Sequence, residues 1–129
     1  MAAQTKFLQR VEKRDFSGMK AMLTDDYADD YGHDRDTVIE SAKQVLSGFF
    51  TVSLKTEVVK LQAVPAMGVG SALGLVQMKI KLEGNGAGFS QIVLARANQI
   101  QKPWFFHWHK KGRWPWDWKI VQIHNDEVP

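Results

Sequence analysis

The sequence predicts an α+β domain in which N-terminal helices pack against a curved antiparallel sheet. Apolar residues recur at helical spacing through the first 50 residues. From Thr51 onward they alternate with polar residues at the period of two that is typical of strands. A length of 129 residues suits a single domain, so residues 1–129 are interpreted as one unit.

Three helices are expected before the sheet. Residues 4–14 and 17–23 each carry a short apolar stripe, and the third helix has the strongest pattern. Thr37 and Glu40 match a capping box at its start, with Asp34 and Asp36 at the positive end of the helix dipole. Its apolar stripe comprises Val38, Ile39, Ala42, Val45, Leu46, Phe49 and Phe50.

The rest of the chain predicts long strands joined by turns. The expected strands are residues 52–61, 72–82, 89–100, 104–109 and 114–124. Asn85 and Gly86 predict a hairpin turn between the second and third strands, because both residues tolerate positive φ. Several strands are apolar on both faces, so we expect both faces of the sheet to be covered.

Composition narrows the function classes. The chain has no cysteine, which excludes disulfides, a thiolate nucleophile and a cysteine zinc site. No apolar run is long enough to predict a membrane span. Cytoplasm is the default expectation, and export stays open if the natural start precedes Met1. Residues 79–119 carry eight Lys or Arg against two Asp or Glu, which we interpret as a solvated sheet face rather than an anion-binding surface.

The order of elements and three short motifs resemble the nuclear transport factor 2-like superfamily, including its SnoaL-like and ketosteroid isomerase-like branches. The motifs are Leu23-Thr24-Asp25-Asp26-Tyr27, Gly32 and Trp118-Lys119-Ile120. The resemblance implies a cone-shaped α+β barrel with a pocket at its wide end. It also implies homodimers through the outer sheet face. It does not identify a reaction, because this fold hosts many.

The best-known chemistry of that superfamily is poorly matched. Ketosteroid isomerase-like sites need a tyrosine in the first helix and a carboxylic acid on a sheet strand. Residues 4–14 contain no tyrosine, and residues 72–82 and 89–100 contain no Asp or Glu. Scytalone dehydratase-like sites combine Tyr, His and Asp, and the chain supplies these residue types without the motif.

The acidic segment between residues 25 and 36 offers candidate catalytic residues. Asp29 and Asp30 are the carboxylates to test as a base, because Tyr27 and Tyr31 flank them. The alternative is a solvated turn whose aspartates cap the next helix, and it is favoured for any single Asp.

His107 and His109 lie two residues apart and therefore share one face of a strand. Either could act as a general acid or base near neutral pH, and they complete the catalytic candidates. Two histidines with no specific motif are a weak metal signal, so no metal and no cofactor are predicted. Arg96, placed on a strand, is expected either to bind a ligand anion or to form an internal salt bridge.

All five tryptophans fall within 15 residues. Trp104, Phe106 and Trp108 are expected on one strand face, paired with Trp114, Trp116 and Trp118 of the next strand. We interpret this cluster as a dimer interface and pocket wall, ahead of a nucleic-acid surface, which is unexpected for this fold.

The leading hypothesis is a homodimeric protein that binds a small, largely apolar molecule. The alternatives are a non-catalytic protein-interaction module and an isomerase or dehydratase that uses Asp, Tyr and His in the pocket. The expected ligand-binding residues are Tyr27, Tyr31, Arg96, Trp104, His107 and Trp118.

Overall fold

The computed structural model describes residues 2–66, 68, 70–86 and 88–127. The helices are α1 (Ala2–Glu12), α2 (Phe16–Ala21), α3 (Arg35–Leu46) and α4 (Phe89–Gln99), and the strands are β1 (Phe49–Pro65), β2 (Ala72–Gly86), β3 (Trp104–Lys110) and β4 (Trp118–His124). The predicted α+β class is confirmed. In the described residues no helix is long and apolar enough to cross a membrane.

The start of α3 shows which aspartate ends the acidic segment. The Asp34 carboxylate accepts a hydrogen bond from the Thr37 amide at 2.9 Å, and the Thr37 hydroxyl accepts one from the Asp34 amide at 2.9 Å. The capping box therefore begins at Asp34, and the predicted pair of Thr37 with Glu40 was one turn too late. Asp is among the strongest N-cap residues, which explains the choice.

The four strands form one antiparallel sheet in the order β1-β2-β3-β4. β1 and β2 pair along their length, from Phe49 opposite Gly86 to Pro65 opposite Ala72. β3 is shorter and pairs only with Ala72–Met78 of β2. The sheet is therefore four strands wide at one end and a two-stranded ribbon at the other.

The segment predicted as a third strand, residues 89–100, is the helix α4, so that prediction was wrong. Ser90, Val93, Leu94 and Ala97 recur at helical spacing, and they are the less exposed residues of the segment. The helix packs against β2. It covers the part of β2 that β3 does not reach, so this edge of β2 is covered by a helix and not by the predicted strand.

Two further predictions around β2 and β4 were wrong. Asn85 and Gly86 form no hairpin turn and lie inside β2, opposite Thr51 and Phe49. Trp114 and Trp116 are not in a strand, because Pro115–Asp117 forms a 3-10 turn in which the Asp117 carboxylate accepts from the Trp114 amide at 3.1 Å. Only Trp118 of these tryptophans lies in β4, opposite Lys110.

The core lies between the helices and the inner face of the sheet. Val76, Trp108 and Ile120 at its centre are 1%, 1% and 0% exposed. The predicted alternation of β3 is confirmed, since Trp104, Phe106 and Trp108 all belong to this core. The helices contribute Phe7, Leu8, Met19 and Ile39 to this core. The segment that follows α2 adds Met22, Leu23 and Tyr27, and β2 adds Met78.

Candidate functional site

An apolar cavity of about 340 Å³ lies between the helices and the inner sheet face. Fifteen side chains line it, and all of them are apolar residues. They are Phe7, Leu8, Val11, Met19, Leu23, Val38, Ile39, Ala42, Leu54, Ile80, Leu82, Ala97, Trp104, Phe106 and Ile123.

The walls of this cavity follow from helical and strand periodicity. α1 and α3 each contribute three residues at helical spacing, so one stripe of each helix faces the sheet. Alternate residues of β2 and β3 point inward to meet them, and β4 contributes Ile123. α4 adds Ala97, a small side chain that leaves the space beside it open.

Two polar side chains hold the ribbon of β1 and β2 where no further strand pairs with it. The Leu54 amide on β1 donates to the Glu12 carboxylate at 3.2 Å. On β2, the Leu82 amide donates to the Asn98 side-chain oxygen at 2.8 Å, and the Asn98 amide group donates back to the Leu82 carbonyl at 2.9 Å. The edge backbone groups of Leu54 and Leu82 thereby find side-chain partners, as unpaired backbone groups require. Because Leu54 and Leu82 are register partners that line the cavity, these bonds also fix its wall.

The acidic segment between residues 25 and 36, here called the connector, is a hydrogen-bonded loop outside the cavity. The Asp29 carboxylate accepts from the Tyr27 hydroxyl at 2.9 Å and from the amides of Tyr31 and His33 at 3.0 and 3.1 Å. The Tyr31 hydroxyl donates to the Asn125 carbonyl at 2.9 Å and accepts from the Asn125 amide at 3.0 Å. Asp30 is exposed. None of these side chains lines the cavity.

Tyr27 is set in its neutral form. It is 2% exposed, and burial raises the pKa of its hydroxyl, with the neighbouring Asp29 carboxylate raising it further. A buried phenol that donates to a carboxylate is favoured as the neutral donor. The hydrogen bond between Tyr27 and Asp29 therefore stabilises the conformation of the loop.

His107 and His109 lie on the outer face of the sheet, opposite the cavity. The His107 ring stacks on His124 with centroids 5.2 Å apart, and His124 stacks on Phe105 at 4.7 Å. His107 Nε2 and His124 Nδ1 are buried without a hydrogen-bond partner among the described residues. Burial, together with the neighbouring His124, lowers the pKa of His107.

The lowered pKa of His107 predicts that acid destabilises the fold. Below the ordinary histidine pKa of 6.5 the unfolded chain binds the proton more readily than the folded chain does. The contribution of His107 to the free energy of unfolding is therefore largest above that pH. It falls as the pH drops toward the lower pKa of the folded state. Urea unfolding between about pH 5 and about pH 7.5 should show this slope, and His107→Phe should flatten it.

His33→Gln is the matched control for this measurement, because the His33 side chain lies away from His107 and makes a 3.3 Å contact with the Thr37 hydroxyl, while its backbone bond to Asp29 is unchanged by the substitution. The parent slope should persist in this variant. Equal slopes in the parent chain and in His107→Phe would contradict the assignment.

Three further predicted ligand-binding residues are in different places. Trp104 lines the cavity. Trp118 does not line it, and borders instead a separate groove beside α1, with the Lys110 ammonium next to its ring. Arg96 is exposed on α4, so the strand geometry that aimed it toward the cavity does not exist.

The residues that the ligand-site prediction missed are the aliphatic and phenylalanine side chains of the walls. Their signal was present, because Phe7, Leu8 and Val11, like Val38, Ile39 and Ala42, were recognisable apolar stripes. A stripe predicts an inward face without showing whether the space it faces is filled. In the described residues no group of three or more His, Cys, Asp or Glu is placed to hold a metal ion.

No model of a known protein family matches the sequence, and no curated protein matches it. Solved structures do match the fold. ActVI-ORFA from Streptomyces coelicolor superposes with a TM-score of 0.60 at 12% identity, covering 98% of this chain and 94% of that one. An NTF2-like protein of unknown function from Pseudomonas putida gives 0.55 at 16% identity, covering 95% and 80%.

A third match is Bd1075 from Bdellovibrio bacteriovorus, with a TM-score of 0.58 at 9% identity. The alignment covers 92% of this chain but spans only 35% of the Bdellovibrio protein. Identities this low carry the fold and not the activity. The helices, the antiparallel sheet and these likenesses together show that the chain has the cone-shaped fold of nuclear transport factor 2-like proteins.

Proposed function

We propose that this protein binds a small apolar molecule in the cavity between α1, α3 and the sheet. The observation that carries the proposal is the composition of the wall, in which all fifteen lining residues are apolar. Water gains few hydrogen bonds in such a space, whereas an apolar ligand fills it and removes its own surface from water.

The size and chemistry of the wall define the ligand class. A volume of about 340 Å³ lies at the lower end of the range of small-molecule pockets, about 300–1,000 Å³. The wall has no charged side chain, so a charged ligand group would have to remain at the mouth. A hydrocarbon ring system or a short acyl chain meets both conditions.

The enzyme alternative receives less support from the geometry. A general acid or base must come within hydrogen-bond reach of the reacting group. Asp29 is engaged by the connector loop, and His107 lies on the outer face of the sheet. A molecule in the cavity therefore meets neither residue.

Filling the cavity from either wall tests the proposal. The neutral fluorescent probe N-phenyl-1-naphthylamine should bind the parent chain and gain fluorescence. Ala97→Phe on α4 and Ala42→Phe on α3 should each weaken binding by about tenfold or more, because the new ring occupies the ligand's space. The thermal unfolding of both variants should stay close to that of the parent chain, since the added ring enters open volume.

Ala95→Phe is the matched control, because Ala95 lies on α4 and is exposed. It should leave probe binding unchanged. The proposal fails if the parent chain does not bind the probe, or if the two cavity variants bind it as tightly as Ala95→Phe does.

We also propose that a second copy of the chain covers the outer sheet face. Leu73 and Val64 on that face are 48% and 55% exposed, and Leu75 and Phe105 lie beside them. Contiguous exposed apolar side chains favour a protein contact over solvent. Sedimentation equilibrium measures the mass directly, and a monomer at micromolar concentration would end this part of the proposal.

A further inference from the structure

α1 has a second face, formed by Ala2, Ala3, Lys6 and Arg10, that does not line the apolar cavity. A groove of about 410 Å³, here called the basic groove, lies between this face, the end of α2 and the segment around β4. Its lining residues are Ala2, Ala3, Lys6, Arg10, Ala21, Met22, Trp116, Trp118 and Lys119. None of these residues lines the apolar cavity, so the two spaces are separate.

Three cations surround the basic groove without a carboxylate partner. Arg10 donates to the Gly18 carbonyl at 2.7 Å, and the Lys119 ammonium donates to the Ala21 carbonyl at 2.5 Å. Lys6 is exposed and makes no ion pair with any described carboxylate, and the same holds for the other two. Neutral carbonyl groups hold the Arg10 and Lys119 side chains in place without cancelling their charge.

The other wall of the basic groove is aromatic. Trp116 is 69% exposed even though one face of its ring stacks on Trp114, with centroids 5.2 Å apart and the planes within 2°. Trp118 lies next to it, and the Lys110 ammonium sits 5.6 Å from its ring centroid. Trp118 is half-buried, whereas an indole as exposed as that of Trp116 beside unpaired cations is typical of a binding surface rather than of a core.

We propose that the basic groove binds a small anion that carries a ring. The phosphate or carboxylate group lies among Lys6, Arg10 and Lys119, where its charge is matched by three cations. The ring stacks on Trp116, a contact that tolerates different rings because each presents a flat or apolar face. The volume of about 410 Å³ lies within the range of small-molecule pockets and suits a nucleoside monophosphate or a sugar phosphate.

Two sources supply this chemistry, a nucleoside monophosphate and a sugar phosphate. Isothermal titration with 5′-AMP and with glucose 6-phosphate distinguishes them, and adenosine and inorganic phosphate separate the contributions of ring and anion. At least one of the two ring phosphates should bind more tightly than inorganic phosphate and than adenosine. Its affinity should fall as salt is raised, because the anion contact is electrostatic.

Two variants test the residues. Lys6→Gln should weaken binding of the preferred ring phosphate by about fivefold, through loss of a charge-assisted contact. Trp116→Ala should weaken it by about tenfold, through loss of the stacking surface. Both side chains are exposed, so the fold should be unchanged, as circular dichroism would report.

Lys43→Gln removes an exposed lysine on α3 that lies outside the basic groove, and it should bind like the parent chain. The proposal is overturned if neither ring phosphate binds better than inorganic phosphate. It is also overturned if Lys6→Gln and Trp116→Ala bind as tightly as Lys43→Gln. Neutral-probe binding in the apolar cavity should be unaffected throughout, so failure here is distinct from failure of the proposed function.

Discussion

Replacing Trp108 by alanine is expected to lower the free energy of unfolding by about 3–5 kcal/mol. Trp108 is 1% exposed and lies between Gly74 of β2 and Ile120 of β4 in the sheet register. Its indole nitrogen donates to the Gln4 side-chain oxygen at 2.8 Å, and Gln4 is 2% exposed. The substitution opens a large cavity and leaves the buried Gln4 oxygen without its donor, and both effects destabilise the fold.

Urea unfolding monitored by far-UV circular dichroism measures this loss, because it does not depend on the removed fluorophore. Trp116→Ala is the matched control, since Trp116 is 69% exposed and outside the core. Its free energy of unfolding should stay within about 0.5 kcal/mol of the parent value. Equal losses in the two variants would contradict the division of the tryptophans into a buried and an exposed set.

That division shows where sequence reasoning succeeded for the aromatic segment and where it stopped. Strand alternation correctly predicted that Trp104, Phe106 and Trp108 share one face, which the structure shows to be the inner face. It failed one turn later, because Pro115 and Asp117 favour a 3-10 turn that removes Trp114 and Trp116 from the strand. The sequence therefore predicted one cross-strand cluster, whereas Trp104 and Trp108 belong to the core and Trp114 and Trp116 are exposed.

The prediction for the segment of α4 was wrong for a different reason. Its apolar residues fit alternation through Ile92 and Leu94, and they fit helical spacing through Val93, Leu94 and Ala97. A segment of 11 residues does not decide between these periods on its own. The short β3 decides it, because it leaves Lys79–Gly86 of β2 to be covered by something other than a strand.

The candidate site was predicted only in part because a cavity is a property of distances between elements. The apolar stripes of α1 and α3 were predicted correctly as inward faces up to Ala42. The end of the α3 stripe was wrong, because Phe49 and Phe50 lie in β1 and Phe50 is 74% exposed. Whether small side chains such as Ala42 and Ala97 leave space between those faces depends on how far the helices stand from the sheet. The predicted catalytic residues were polar side chains such as Asp29, which is hydrogen-bonded within its own loop.

Asn125 carried no sequence signal, yet the structure makes it a second site of large expected effect. It is 1% exposed, and its side-chain amide donates to the carbonyls of Lys102 and Pro103 at 2.9 and 3.3 Å. Its side-chain oxygen accepts from the Glu127 amide at 2.8 Å. These bonds join the end of β4 to the start of β3, and the Tyr31 hydroxyl adds the connector loop through the Asn125 backbone.

Asn125→Asp is expected to lower the free energy of unfolding by about 3–5 kcal/mol at neutral pH, because it buries a charge against two carbonyl oxygens. Burial raises the pKa of the new carboxyl above the value of about 3.9 that it has in the unfolded chain. The unfolded chain therefore releases the proton first, so the loss should grow as pH rises from about 4 to about 7. Urea unfolding at both pH values measures this difference.

Asn98→Asp is the control that separates burial from hydrogen bonding. Asn98 makes a similar pair of bonds, to the Leu82 carbonyl at 2.9 Å and from the Leu82 amide at 2.8 Å, but it is exposed. Solvent screens the new charge there, so the loss should be about 1 kcal/mol or less and should change little with pH. Equal losses of unfolding free energy in Asn125→Asp and Asn98→Asp would contradict the assignment of the effect to burial. An equal loss for Asn125→Asp at both pH values would contradict it as well.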